Sequence, residues 1–290
     1  MKKTIVLSFF LLSLVFACSS GSDSDTNPPD VVAMDPPAPP DPNRPWNLVF
    51  EDEFDGDLSQ WNVWEGGAFN NEIQLYRGEQ LSLADGILTI TTQREEVFGA
   101  TTPFDATPKD FDFVSGRIES KTTFGPSSLD GETEYRFISR IRMPEGFGMW
   151  PAFWSYGDPW PVMGEIDIIE ARGNLPNEFS SNIFYGTEPG IPITRLEDTV
   201  VEHEIEEDIT ADFHIYELIW TVNTLEIRFD DRRLHLYNAN ARNFITNLFG
   251  RKQMVVLNNA VGGVFFPNTD PSTYVDTATM QVDWVRVYKR

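Results

Sequence analysis

Apolar and polar residues alternate in short runs along most of the chain beyond Trp46. Leu225, Ile227 and Phe229 occupy every second position, as do Tyr216, Leu218, Trp220 and Val222. A period of two places such residues on one face of an extended strand. Asp230-Asp231 interrupts the run as a turn, and Leu234 and Leu236 resume it. Further strands are predicted over Ile87–Thr92, Ser115–Thr123, Tyr135–Met143, Glu165–Glu170, Met254–Leu257 and Met280–Tyr288, each bounded by Gly, Pro, Asn or Asp. Only Asn240–Phe249 hints at a helix, through Phe244, Ile245, Leu248 and Phe249. Many short strands over about 245 residues predict an all-β domain, a two-sheet β-sandwich of the jelly-roll kind.

The first segment has a different texture. Lys2 and Lys3 precede a short apolar run from Thr4 to Ala17. That run is shorter than the roughly 20 residues a membrane-spanning helix needs, so residues 1–17 are expected to be a signal peptide. Leu14-Val15-Phe16-Ala17-Cys18 resembles a bacterial lipobox. The resemblance implies cleavage before Cys18, acylation of its thiol and attachment to a membrane through the lipid. Residues 18–45, rich in Ser, Asp and Pro, have little to bury and read as a disordered tether. Ser19-Ser-Gly-Ser-Asp-Ser-Asp25 resembles the acidic export tags of some Gram-negative surface lipoproteins, which implies the outer membrane or cell surface. Residues 46–290 form the folded domain.

Charge and cysteine usage narrow the function. A formal net charge of −23 disfavours nucleic acid, whose binding depends on Lys and Arg neutralising phosphates. One cysteine excludes an intrachain disulfide, and His203, His214 and His235 lack metal-site spacing. A monomer is expected.

Chemistry concentrates in Trp160-Pro-Val-Met-Gly-Glu-Ile-Asp-Ile-Ile-Glu-Ala-Arg-Gly173, where Glu165, Asp167 and Glu170 punctuate an apolar strand. Regular alternation puts Glu165 and Asp167 on one face and Glu170 on the other. One extra residue, a β-bulge, would return Glu170 to their side. Like charges at close range raise at least one carboxyl pKa. That suits a retaining glycosidase, with an ionised nucleophile and a protonated acid roughly 5–5.5 Å apart. Solvated acids on a surface strand would not be flanked by Ile166, Ile168 and Ile169.

From here the chain resembles glycoside hydrolase family 16, in ordered blocks that span most of residues 46–290. Leu48-Val-Phe-Glu-Asp-Glu-Phe-Asp-Gly56 is similar to the family's opening strand, Asn70-Asn-Glu-Ile-Gln-Leu-Tyr76 to its N-N-E-x-Q-x-Y block, and Asp85-Gly86-Ile-Leu to its next turn. Ser115-Gly-Arg117, Trp150-Pro-Ala-Phe-Trp154, Gly164-Glu-Ile-Asp-Ile-Ile-Glu170 and Phe213-His-Ile-Tyr-Glu-Leu-Ile-Trp220 follow in order. Leu257-Asn-Asn-Ala-Val-Gly-Gly263 and Val282-Asp-Trp-Val-Arg-Val-Tyr288 close the set. The resemblance implies a jelly roll with a concave substrate cleft, Glu165 as nucleophile, Asp167 assisting it and Glu170 as acid/base. No cofactor is then required for catalysis. It also implies a structural calcium held by backbone oxygens near Glu53 and Gly86 and by the Asp283 carboxylate, oxygen ligands that suit the ion. The branch it resembles most, the laminarinases, acts on β-1,3-glucan and sometimes on mixed-linkage β-1,3/1,4-glucan.

By block position, Trp150, Trp154 and Trp160 are candidates to stack on sugar rings, and Asn71, Arg140 and Asn258 to bind hydroxyls. Two departures bear on the substrate: Ile138 replaces a glutamate, and Phe184 stands where laminarinases often carry a cleft histidine. Residues 98–114 and 187–210 read as long individual loops. A hydrolase of a marine galactan (agarose, porphyran or carrageenan) is the alternative enzyme. A sulfated galactan would require Arg117, Arg140, Arg142 and Arg172 to converge on the cleft. A transglycosylase shares the covalent intermediate. A non-catalytic glycan-binding surface lipoprotein is the alternative of another class, which the intact acid set disfavours.

Overall fold

The computed structural model describes residues 44–129, 131–193, 199–238 and 245–290. The signal peptide, Cys18 and nearly all of the tether lie outside these residues. Among the described residues no helix is long and apolar enough to cross a membrane.

The predicted alternation becomes two packed sheets. The outer sheet is built on β5 (Ile87–Thr102), β6 (Asp105–Ser115), β8 (Glu134–Arg142), β15 (His214–Thr221), β16 (Thr224–Phe229), β17 (Arg232–Asn238) and β19 (Thr277–Lys289). β3 (Gln74–Tyr76) extends one edge, while β1 (Asn47–Asp52) pairs with β19 and β4 (Leu81–Ala84) with β5. The inner sheet runs β14 (Val201–Glu204), β11 (Glu178–Phe184), β10 (Glu165–Ala171), β9 (Met149–Tyr156), β18 (Gln253–Val261), β7 (Arg117–Phe124) and β2 (Trp61–Val63), in that order. Two short strands, β12 (Gly186–Glu188) and β13 (Ile191–Pro192), pair separately.

The core lies between the sheets. Phe137, Ile141, Leu218, Trp220, Leu225, Ile227 and Phe229 line it from the outer sheet, and Ile118, Phe153, Ile166 and Leu257 from the inner one. On β10 the alternate positions carry the acids, which point to the other face of the inner sheet. The active strand therefore has an apolar underside and a polar upper face.

Three sequence expectations change in detail. The run Ser115–Thr123 is two strands, because the chain leaves the outer sheet at Ser115 and enters the inner sheet at Arg117. The hinge is Gly116, which lies so close to the Leu81 side chain that a Cβ would have no room. Residues 98–114 form a long antiparallel hairpin of β5 and β6 rather than an irregular loop. The helix expected over Asn240–Phe249 is one turn, Ile245–Leu248, with residues 239–244 outside the described set. Asp85-Gly86 closes the β4–β5 hairpin with φ of 53° and 73°, the left-handed pair that a two-residue turn requires.

Candidate active site

A bulge in β10 creates the site. Asp167 lies opposite Trp154 on β9 and Asn182 on β11, but the register then slips on both sides. Ile168 and Ile169 together oppose Phe153 on one neighbour, and the same pair spans Ser181 on the other. Both isoleucines are buried in the core, at 1% and 0% exposure. Burying two successive apolar side chains costs the strand one step of alternation. The step returns Glu170 to the face of Glu165 and Asp167. The expected bulge is therefore present, and its driving force is the apolar pair within the motif.

Two tryptophans address the two glutamates. Trp150 Nε1 donates to Glu170 Oε1 at 3.0 Å. The Trp160 N–H is buried and closes no hydrogen bond. It acts on Glu165, whose ionised form it favours. Burial pushes Glu165 up to about 8; the charge of Glu170 adds to the rise, and Trp160 and Arg117 oppose it. Burial likewise pushes Glu170 up to about 7; the Trp150 hydrogen bond holds it down, Glu72 and Glu202 push it up, and Arg172 holds it down. Asp167 is raised well above the carboxylate range by burial and by both glutamates. Its Oδ2 is buried without a partner, which fits a protonated carboxyl. The result is a three-carboxyl cluster that cannot ionise fully at neutral pH.

A second polar network abuts the first. Gln74 Nε2 and the Tyr76 hydroxyl donate to Glu72 Oε2 at 2.6 and 3.3 Å. Tyr76 accepts from Asn258 Nδ2 at 3.1 Å, and Asn258 Oδ1 accepts from Trp154 Nε1 at 2.7 Å. Arg117, buried at 6% exposure, pairs with Glu119 at 2.6 Å. Its guanidinium lies 4.0 Å from the centre of the Trp64 ring and 4.9 Å from that of Trp154. Trp154 in turn stacks on Tyr156 at 5.2 Å. Aromatic faces and buried donors thus cross the inner sheet from β10 toward β2.

The structure brings together Glu165, Asp167, Glu170, Trp150, Trp154, Trp160 and Asn258, and corrects the remaining expectations. Trp150 is not open for stacking: it is buried, with Phe265 stacked on it at 4.1 Å, so its part is the hydrogen bond to Glu170. Asn258 is buried too and joins Trp154 to Tyr76. Arg140 leaves the site altogether. It lies on the outer sheet, paired with Asp283 and over the Phe213 ring. Arg142 shares that Phe213 contact, so the four arginines a sulfated substrate would need do not converge. Asn71 is exposed in a left-handed conformation, and its neighbour Glu72 turns into the buried network instead. Phe184 stands opposite Glu165 and against Trp160.

The calcium residues assemble only in part. The Glu53 carbonyl and the Asp55 carboxylate lie beside Gly86. The Glu53 carboxylate is held by Arg286 at 2.8 Å, and that of Asp283 by Arg140. Arg140 already neutralises Asp283, the one carboxylate expected to hold the ion, while the Glu53 carbonyl stands beside Gly86 as the expected backbone ligand would. Among the described residues no group of three or more His, Cys, Asp or Glu is arranged to hold a metal. A hollow of about 520 Å³ beside Glu145, Asn174 and Asp208 contains none of the three acids.

Sequence reasoning missed Glu72, Trp64 and Tyr156. Glu72 stood inside a quoted block, but its burial depends on the Asn70–Glu72 turn meeting the turn after β18, where Glu72 bridges to Gly262.

Comparison with known proteins agrees with this geometry. Glycosyl hydrolases family 16 matches residues 69–286. A glucan endo-1,3-beta-glucosidase of Cryptopygus antarcticus is 33% identical over 269 residues, covering 83% of this chain and 91% of that protein. A beta-glucanase of Rhodothermus marinus is 30% identical, covering 100% of this chain and 96% of its own. Among solved structures, the endo-beta-1,3-glucanase of Pyrococcus furiosus superposes with a TM-score of 0.68 at 27% identity, covering 84% of this chain and 94% of that one.

Proposed function

This chain belongs to glycosyl hydrolase family 16 and is a glycoside hydrolase, and we propose that it cleaves β-1,3-glucan within the chain, with retention of anomeric configuration. Two of the relatives above are endo-1,3-β-glucanases by name and the third is a beta-glucanase, and mixed-linkage β-1,3/1,4-glucan is the neighbouring substrate. Glu165 attacks the anomeric carbon while Glu170 gives its proton to the departing glycosidic oxygen. This leaves a glycosyl ester on Glu165. Glu170, now ionised, takes a proton from water, whose oxygen displaces Glu165 and restores the starting state. Asp167 donates its proton toward Glu165 and eases departure of the ester.

The bulge carries this reading, because it alone sets Glu165, Asp167 and Glu170 on one face. While one glutamate is ionised, its charge and their common burial hold the proton on the other, so the pair shares one proton and the first step draws on the form with Glu165 ionised. The Trp154–Asn258–Tyr76–Glu72 network supports it by fixing an aromatic face beside the acids.

The test is reducing-sugar release from laminarin, lichenan, agarose and κ-carrageenan, with Glu165→Gln as control. Release from laminarin, abolished in the variant, with β-configured first products by NMR, is the expected result. Release only from a galactan would overturn the substrate and keep the mechanism.

We further place the enzyme on a cell-surface membrane through acylated Cys18, a reading that rests on the sequence around that residue. Incorporation of a labelled fatty acid, lost in Cys18→Ala, is the check.

A further inference from the structure

The aromatic path across the inner sheet does not stop at its edge. Trp64 follows β2, the last strand, and covers Arg117 with its ring. Against the edge of Trp64, at 5.8 Å and 85°, stands Phe104. Phe104 occupies the tip of the β5–β6 hairpin and is 82% exposed. A lone exposed phenylalanine needs no explanation. This one ends a continuous row, from Trp154 through Arg117 and Trp64, that begins opposite Asp167.

The tip is held rigidly. Gly67 donates to the Ala100 carbonyl at 2.9 Å and packs so tightly on Thr101 and the Phe111 ring that a Cβ there would clash. Trp64 Nε1 donates to the Gly67 carbonyl at 2.9 Å, tying Trp64 to the same hairpin. Within the turn, Thr102 Oγ1 accepts from the backbone of Phe104 and Asp105 at 3.2 and 3.0 Å, and Thr101 Oγ1 donates to the Thr107 carbonyl at 2.6 Å. An apolar ring fixed in water before any ligand arrives loses little entropy on binding.

We propose that Phe104 forms a distal sugar-binding subsite, outside the inner sheet, that stacks on a pyranose ring of a long glucan whose scissile bond lies at Glu165 and Glu170. The proposal rests on the β-glucan reading above. A sugar offers an apolar C–H face to an aromatic ring, and Phe104, at the exposed end of the row, supplies one. Chains too short to reach from the acids to the hairpin tip gain nothing from it.

The experiment uses the inactive Glu165→Gln protein and that protein carrying Phe104→Ala or Phe104→Trp, titrated calorimetrically with β-1,3-gluco-oligosaccharides of rising length and with laminarin. A single aromatic contact is worth about 1 kcal/mol, or about fivefold in Kd. The ratio of short-chain to long-chain Kd is expected to fall about fivefold in Phe104→Ala and to recover in Phe104→Trp. Equal effects at every length, or none on laminarin, would overturn the subsite while leaving the substrate reading intact. Failure of the Glu165→Gln parent to bind any β-glucan would overturn both.

Discussion

Replacing Glu165 by Gln should abolish turnover and, at alkaline pH, make the protein more stable. The wild-type carboxyl is raised in the fold from an ordinary 4.5 to about 8, chiefly by burial and then by the charge of Glu170. The folded state therefore holds this proton more tightly than the unfolded chain. Its contribution is fully present below about pH 4.5 and is lost as pH rises through about 8. At 1.36 kcal/mol per pH unit the loss has an upper bound of about 5 kcal/mol. Part of the side chain meets solvent in the cleft, which lowers that to about 1–3 kcal/mol. Glutamine keeps the shape and carries no charge. At about 2–4 °C per kcal/mol for a domain of this size, Glu165→Gln should melt roughly 2–12 °C above wild type at pH 9 and close to it at pH 4.5. Thermal unfolding of both proteins from pH 4.5 to 9 reads the difference directly. A melting difference that does not change with pH, or a variant less stable than wild type at pH 9, would refute the argument that Glu165 is a buried charge held against its preference.

Two further changes test one contact inside the site and one outside it. Trp150→Phe keeps the stack on Phe265 but removes the donor to Glu170; a hydrogen bond to a charged group is worth about 1.5–3 kcal/mol, so the basic limb of the kcat/KM–pH profile should move up by about one to two units, and an unmoved limb would remove Trp150 from the account. Arg140→Ala, on the outer sheet, should leave kcat/KM on laminarin within about twofold and lower stability by no more than about 1 kcal/mol, the usual limit for an exposed pair; a large kinetic loss would return Arg140 to the cleft.

The comparison of Glu165, Glu170, Trp150 and Arg140 shows where a linear reading holds. Glu165, Asp167 and Glu170 stood out because acids interrupting an apolar strand are costly without a use. The bulge followed from counting, since six residues from Glu165 to Glu170 put the end acids on opposite faces unless one residue is extra. Arg140 was misplaced because a strand alternates identically whichever sheet it joins. Nothing in Tyr135–Met143 says that its polar face points away from the cleft.

Alternation along each strand thus determined, from sequence alone, an all-β fold, the residues of the core and the three acids of the site, because period-two burial is a local property. Assignment of strands to sheets, burial of Trp150 under Phe265, capture of Asp283 by Arg140 and meeting of Phe104 with Trp64 were decided only in the tertiary structure. Each joins residues far apart in the chain, and long-range pairing is set by the packing of whole sheets, which no local pattern encodes.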